Sequence, residues 1–269
     1  MHDTQLGIVA EVKMNLCIDV GNTTVGVGFF KEKELFLRLT FTVNQKQTKD
    51  EFKSVIKRTL EENKISTSDI SRIIFSSVVP SLNSPFIGAL EEVFNIKPLL
   101  IAPGIKTGLS VHVDNPSEIG NDLIGVMVGA KEKYGYPLLI ADLGTASKIL
   151  LIDKSGSFIS CLIMPGLSLS LSSLTTRAAL LPEIMIKVPE TILAKNTIDA
   201  INAGVIFGHA DMINGAINRY EKEIGYKCKH ILSGGSGVYL KDILKQDFEY
   251  DPDLCLKGLN SIIYRNEEK

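Results

Sequence analysis

The chain has 269 residues, which is enough for one large domain or two modest ones. Hydrophobic residues make up 45% and charged residues 22%, which are ordinary globular values and exclude a disordered or fibrous chain. The net charge of −2 offers no basic surplus for a nucleic-acid partner, and no apolar run approaches the roughly 18 residues that a membrane span needs.

The N-terminal segment, residues 1–13, lacks the basic and apolar blocks of a signal peptide and is interpreted as an extension that precedes Met14. The cysteines are Cys17, Cys161, Cys228 and Cys255, and no pair has the spacing of a zinc or redox motif. We therefore expect reduced cysteines in a cytoplasmic protein.

The first half, residues 14–136, begins with two apolar runs that flank Asp-Val-Gly-Asn-Thr-Thr, a pattern typical of a β-hairpin. Further strands and helices follow from apolar periodicity. The predicted strands are Leu35–Val43, Arg72–Val79 and Lys97–Ile101, and the predicted helices are Lys49–Asn63, Ser84–Phe94 and Asp122–Tyr134.

The second half, residues 137–269, repeats the opening theme. Pro137–Asp153 again has an apolar strand that ends in Asp-x-Gly, then threonine, then a second apolar strand. The elements predicted after it are strands at Phe158–Ile163 and Ile231–Gly235 and helices at Pro165–Leu180 and Thr197–Ile224. Two α/β halves with mixed sheets and flanking helices are expected, with a ligand cleft between them.

Each repeat carries a glycine turn with a carboxylate, at Asp19-Val20-Gly21-Asn22-Thr23-Thr24 and at Asp142-Leu143-Gly144-Thr145. Glycine lets backbone N–H groups approach a phosphate closely, and a carboxylate can hold a cation against it. One such turn alone is more often an ordinary hairpin turn. Two of them favour a nucleotide phosphate site.

Four other segments allow a structural and a functional interpretation. Asp122 can cap a helix or take a proton from a substrate hydroxyl, and Thr197 can cap the long helix. The Pro165-Gly166-Leu167 turn leads into a helix that either packs in the core or forms an interface. The Ser233–Gly237 segment lies beneath a nucleoside or only reverses the chain.

These motifs together resemble the type III pantothenate kinase family. The segments that carry the resemblance are, in order, Asp19–Thr23, Asp114–Asp122, Asp142–Ala146, Ile163–Leu167 with Ala178–Pro182, and Thr197–Gly204. The resemblance spans Met14 to about Ile263. It implies the actin-like ATPase fold, with two similar ribonuclease H-like halves and an ATP cleft between them.

The resemblance also implies a reaction and roles for residues. The reaction is ATP-dependent phosphorylation of pantothenate, the first step towards coenzyme A, by a homodimer. Asp122 is the implied base, Asp142 the implied ligand of potassium or ammonium, and Asp19 the implied ligand of Mg²⁺ through water. ATP contacts fall on Asp19, Val20, Gly21, Asn22, Thr23, Thr24, Val25, Gly26 and Thr145, and pantothenate contacts on Val113, Gly120, Asn121, Asp122, Leu123 and Thr197.

The chain departs from the family pattern at several positions. Leu123 replaces an arginine, Val113 replaces a tyrosine, and Ser147 and Lys148 replace threonines. Lys148 is a candidate substitute for the missing arginine, or a partner of the ATP phosphates. A catalytically silent relative with a regulatory role and a kinase for another small hydroxyl compound, such as a sugar, therefore stay as alternatives. A filament or chaperone ATPase is disfavoured by the short chain.

Overall fold

The computed structural model describes residues 13–177 and 184–267. The described chain forms two compact units. The first contains the residues up to Ile105 together with the C-terminal residues from Asn266, and the second spans Lys106–Arg265. These units do not coincide with the predicted halves, which meet near residue 136. The reason is that the helix at Asn121–Tyr134 packs on strands and a helix of the second unit.

A five-stranded sheet forms the first unit, in the order β3-β2-β1-β4-β5. β1 pairs antiparallel with β2 and parallel with β4, because a tight turn joins the first pair and a helical crossover joins the second. The strands are β1 (Met14–Val20), β2 (Thr24–Lys31), β3 (Glu34–Thr42), β4 (Ile70–Ser77) and β5 (Leu99–Leu100), and the helices are α1 (Lys49–Glu62) and α2 (Pro80–Phe94).

The helices of the first unit begin where the sequence supplies suitable residues. Thr48 and Glu51 form a reciprocal capping box at the start of α1. α2 begins four residues before the predicted Ser84, because Pro80 is favourable in the first turn of a helix. Phe86 of α2 stacks on Phe52 of α1 with ring centroids 4.2 Å apart, so both helices contribute to one apolar core.

A six-stranded sheet forms the second unit, in the order β11-β10-β7-β8-β9-β6. Its strands are β6 (Ser110–Val111), β7 (Leu138–Leu143), β8 (Ala146–Ile152), β9 (Ser157–Pro165), β10 (Lys229–Ser233) and β11 (Phe248–Tyr250). Its helices are α3 (Asn121–Tyr134), α4 (Leu167–Arg177), α5 (Thr197–Ile224), α6 (Gly237–Leu240) and α7 (Leu254–Arg265).

The two faces of this sheet hold separate cores. Leu139, Ala141 and Leu143 of β7 pack towards α4 and α5, whereas Leu138 and Ile140 pack towards α3 and α7. This follows from the alternation of side chains along a strand. Even-numbered positions of β7 and β8 therefore share the face that α3 covers.

The internal repeat in the sequence is a repeat in topology. The order β9-β8-β7-β10-β11 has the same strand directions as β3-β2-β1-β4-β5, with two antiparallel and two parallel pairings in each. Each Asp-x-Gly turn joins the first two strands of its sheet. The predicted hairpins are thus confirmed.

Other boundaries differ in detail. Neither α6 nor α7 was predicted. α4 starts at Leu167, two residues after the predicted Pro165. The predicted segments at residues 1–12 and Ala178–Pro182 lie outside the described residues. Within the part of the chain that the structure describes, no helix is long and apolar enough to cross a membrane.

Candidate active site

Two of the predicted carboxylates come together in the second unit around a lysine. Asp142 lies near the end of β7, and Lys148 lies directly opposite it on β8. Asp122 lies in the first turn of α3, the helix that covers the same face of the sheet. Sheet alternation and helix packing therefore converge on one cluster, which we call the Asp122–Lys148–Asp142 cluster.

The lysine ammonium bridges the two acids. Lys148 Nζ donates to Asp122 Oδ2 at 3.0 Å and to Asp142 Oδ2 at 3.2 Å. The side chains of Lys148, Asp122 and Asp142 are 16%, 23% and 11% exposed, respectively. Charge-assisted hydrogen bonds with so little water around them are stronger than those on an open surface.

Burial and charge act against each other in this cluster. Burial raises the pKa of the Asp142 carboxyl, Lys148 counteracts that rise, and the negative charge of Asp122 adds to it. For Lys148, burial disfavours the ammonium, but the two carboxylates outweigh burial and raise its pKa. The lysine is therefore fully charged at neutral pH.

Three glycine-containing segments meet at the second glycine turn. A methyl group on Gly166 would lie 2.3 Å from the carbonyl oxygen of Gly144, and one on Gly234 would lie 2.4 Å from that of Leu143. Ser236 N–H also donates to the Leu143 carbonyl at 2.9 Å. The Pro165–Leu167 and Ser233–Gly237 segments thus pack directly against the Asp-Leu-Gly-Thr turn, where only hydrogen fits on both glycines.

The first glycine turn belongs to the first unit. Ser76 Oγ donates to Asp19 Oδ1 at 2.8 Å, and Gly21 N–H donates to the Thr24 carbonyl at 2.9 Å. Asn22, Thr23 and Thr24 are exposed, as is Thr145 in the second turn, whereas Val20 and Val25 are buried. Gly21 and Gly26 are half-buried.

The capping alternatives for Asp122 and Thr197 are wrong. Gly120 precedes α3 as its cap residue without a side-chain hydrogen bond, and Asp122 is the second helical residue. Asn196 caps α5 and accepts from Asp199 N–H at 2.9 Å, so Thr197 is the first helical residue. Neither residue is therefore explained by a capping role.

The remaining predicted substrate contacts differ in burial and in position. Leu123 is 8% exposed and belongs to the apolar core beneath α3, and Val113 packs against the same core. Asn121 is half-buried at the start of α3. Thr197 lines a groove between α4 and α5. The substrate roles of these residues stay predictions.

A buried polar pair that the sequence analysis missed lies on the opposite face of the same hairpin. Ser147 Oγ and His209 Nε2 are 2.7 Å apart, and both residues are buried. Burial lowers the pKa of His209, so the imidazole is kept neutral. The only sequence signal for this contact is the position of Ser147 on β8, because odd-numbered residues of this strand face α5.

The repeated sheet with its flanking helices defines an α/β protein of the actin-like ATPase fold. Among solved structures it is similar to a Campylobacter jejuni protein assigned to the Baf family of transcriptional activators, with a TM-score of 0.58, 19% identity and coverage of 94% of this chain and 100% of that chain. It is also similar to component A of (R)-2-hydroxyglutaryl-CoA dehydratase from Acidaminococcus fermentans, with a TM-score of 0.54, 16% identity and coverage of 94% and 97%. At such low sequence identities, these similarities support a shared fold and nothing further.

Sequence comparison identifies the family. Residues 15–219 match the profile of type III pantothenate kinase. A type III pantothenate kinase of Agathobacter rectalis is 37% identical over 257 residues, covering 95% of this chain and 98% of the relative. Another, of Dictyoglomus turgidum, is 37% identical over 257 residues, covering 94% and 100%. The chain belongs to the type III pantothenate kinase family.

Proposed function

We propose that this protein transfers the γ-phosphoryl group of ATP to the primary hydroxyl of pantothenate, in the cytoplasm. The observation that carries the proposal is the position of Asp122 in a chain of this family. Its carboxylate is held in place by Lys148 and takes no part in capping α3. A positioned carboxylate can take the proton of an attacking hydroxyl.

The proposal assigns the other contacts residue by residue. Asp19–Gly26 in the first turn and Thr145 in the second contact ATP, whose phosphates suit the exposed hydroxyls of these turns. Val113, Gly120, Asn121, Leu123 and Thr197 are the proposed pantothenate contacts. For Val113 and Leu123, burial leaves apolar contact as the available interaction.

Magnesium would accompany ATP. Asp19 suits this role because Mg²⁺ in nucleotide sites binds one or two carboxylates and keeps several waters. The described residues contain no group of three or more His, Cys, Asp or Glu side chains that could hold a metal ion by themselves. An ion shared with the phosphates would supply charge neutralisation for phosphoryl transfer.

The test is ADP release with pantothenate, pantetheine and simple polyols as acceptors. Pantothenate should give the highest turnover, and Asp122→Asn should lower it at least about 10²-fold, the ordinary contribution of general base catalysis. Asp114→Asn is the matched control, because Asp114 is an exposed acid of the same segment. A wild type that binds ATP but phosphorylates no acceptor would instead support the silent relative.

We further propose that two copies of the chain associate through the surface around α4 and α5. Large apolar side chains are exposed there, among them Leu169, Leu174, Ile192, Leu193 and Ile198. Gly204 and Gly208 of α5 line the groove between α4 and α5. Large exposed apolar patches often mark protein–protein interaction sites.

Light scattering measures this association directly. Ile198→Glu together with Leu169→Glu should convert a dimer to a monomer, because each places a charge on the apolar surface. Phe36→Glu is the control, since Phe36 is exposed on the first unit. A monomeric wild type, or a double variant that stays dimeric, would contradict the proposed interface.

A further inference from the structure

The family resemblance implies a monovalent cation at Asp142, and the structure permits a test of whether the residues fit one. Asp142 Oδ2, one of the two carboxylate oxygens that could bind such an ion, accepts from Lys148 Nζ at 3.2 Å. The same ammonium reaches Asp122 Oδ2 at 3.0 Å. A second cation at Asp142 would lie beside a buried ammonium and be repelled by it. The residues therefore do not fit a potassium or ammonium ion.

Lys148 reaches this position through the strand register. In the second sheet, Lys148 is the antiparallel partner of Asp142, and Ser233 is the parallel partner. In the first sheet, the partners of Asp19 at the same places are Gly26 and Ser76. The serine is repeated, whereas the cross-strand position is a glycine in one copy and a lysine in the other. The positive charge is thus specific to the second turn.

We propose that the Lys148 ammonium replaces the monovalent cation, so that phosphoryl transfer by this protein does not depend on potassium. The proposal rests on the proposed function for its reaction. Like a bound ion, the ammonium neutralises Asp142 beside the second glycine turn, where Thr145 is exposed. Unlike a bound ion, it is covalently attached and cannot be removed by dialysis.

The central variant is Lys148→Thr, which removes the ammonium and opens its place beside both carboxylates. Wild-type turnover should differ by less than roughly twofold between potassium and choline chloride at one ionic strength. In choline, the turnover of Lys148→Thr should be at least about tenfold below that of the wild type, a change that corresponds to the loss of one charge contact. In potassium, the variant should regain most of that turnover. Lys148→Arg should stay independent of potassium, because it keeps the charge.

A second readout does not require turnover. Potassium should raise the melting temperature of Lys148→Thr above its value in choline, because an ion that binds only the folded state stabilises it. It should not do so for the wild type or for Lys154→Thr, a control that removes a charge at the far end of the β8–β9 hairpin. Lys148→Met, which removes the charge but fills the space, should not respond either.

Two results would overturn the inference. One is a wild type that needs potassium as strongly as Lys148→Thr does, and the other is a Lys148→Thr protein that responds to potassium in neither readout. Failure of the proposed function looks different, because then no acceptor is phosphorylated in any salt. The melting comparison would still decide the role of Lys148 in that case.

Discussion

The contact between α3 and α7 provides the most quantitative test of how the Asp122 carboxylate is held. A methyl group added to Gly258 of α7 would lie 1.9 Å from the carbonyl oxygen of Gly125 and 2.7 Å from the backbone nitrogen of Gly129, whereas ordinary contact begins at 3.4 Å. The two helices are thus in backbone contact, with no flexible side chain between them. Gly258→Ala must push them apart.

The expected loss of stability can be worked from two opposing effects. Overpacking of a well-packed contact destabilises by about 1–3 kcal/mol, and rigid backbone on both sides places this case near the upper value. The higher helix propensity of alanine relative to glycine offsets this loss by about 0.8–1.0 kcal/mol in a helix interior. The net loss of about 2 kcal/mol corresponds to a melting temperature lower by roughly 4–8 °C for a protein of this size.

Urea and thermal unfolding of purified variants measure this change. Gly215→Ala of α5 is the matched control, because nothing lies within 4 Å of the added methyl group. It should stabilise the protein by about 0.5–1 kcal/mol through helix propensity alone. If Gly258→Ala is as stable as the wild type, the close approach of α3 and α7 is wrong, and so is the placement of Asp122 that depends on it.

Three further predictions concern the second unit. The pKa of His209 is lowered, so the native state resists protonation and the stability of the protein falls as the pH drops below about 6.5. The difference in unfolding free energy between wild type and His209→Gln should therefore shrink over that range. A difference that stays constant with pH would refute this prediction. Asp251→Asn should destabilise by about 1–3 kcal/mol in urea unfolding, because this 3% exposed carboxylate accepts from Lys133 and Lys257; a change within about 0.5 kcal/mol, typical of a surface site, would count against it. Gly234→Ala should lower stability by about 1–3 kcal/mol, since its φ is +84° and its methyl group would meet the Leu143 carbonyl, whereas Gly235→Ala, with open space, should change it little.

Most of the fold could be predicted because it depends on short-range patterns. The two Asp-x-Gly hairpins follow from apolar runs that flank turn residues, and α5 begins and ends at the predicted Thr197 and Ile224. α7 was missed, since Gly258 weakens its helical pattern and signals a break. That glycine is required by a contact with α3, which is distant in sequence and invisible to periodicity.

The site could be predicted only in part. Asp122 and Asp142 stand out in the sequence as acids two residues from a glycine, but nothing local shows that one lysine contacts both. The capping alternative for Asp122 failed because the helix begins at Asn121, two residues before the Leu123 start that a cap at Asp122 requires. A shift of two residues changes a cap into a carboxylate in the first helical turn that contacts Lys148, and helix boundaries are uncertain from sequence by about that much.

Lys148 shows why a departure from a family pattern has to be interpreted together with its spatial neighbours. Alone, a lysine in place of a threonine suggests a new contact with a ligand. In the structure its charge is balanced by Asp142 across the hairpin and by Asp122 from α3. A buried ammonium with one carboxylate removed would be costly, and so would two facing carboxylates without the ammonium. The three residues therefore form one electrostatic unit, and a substitution at any of them changes the charge environment of the other two.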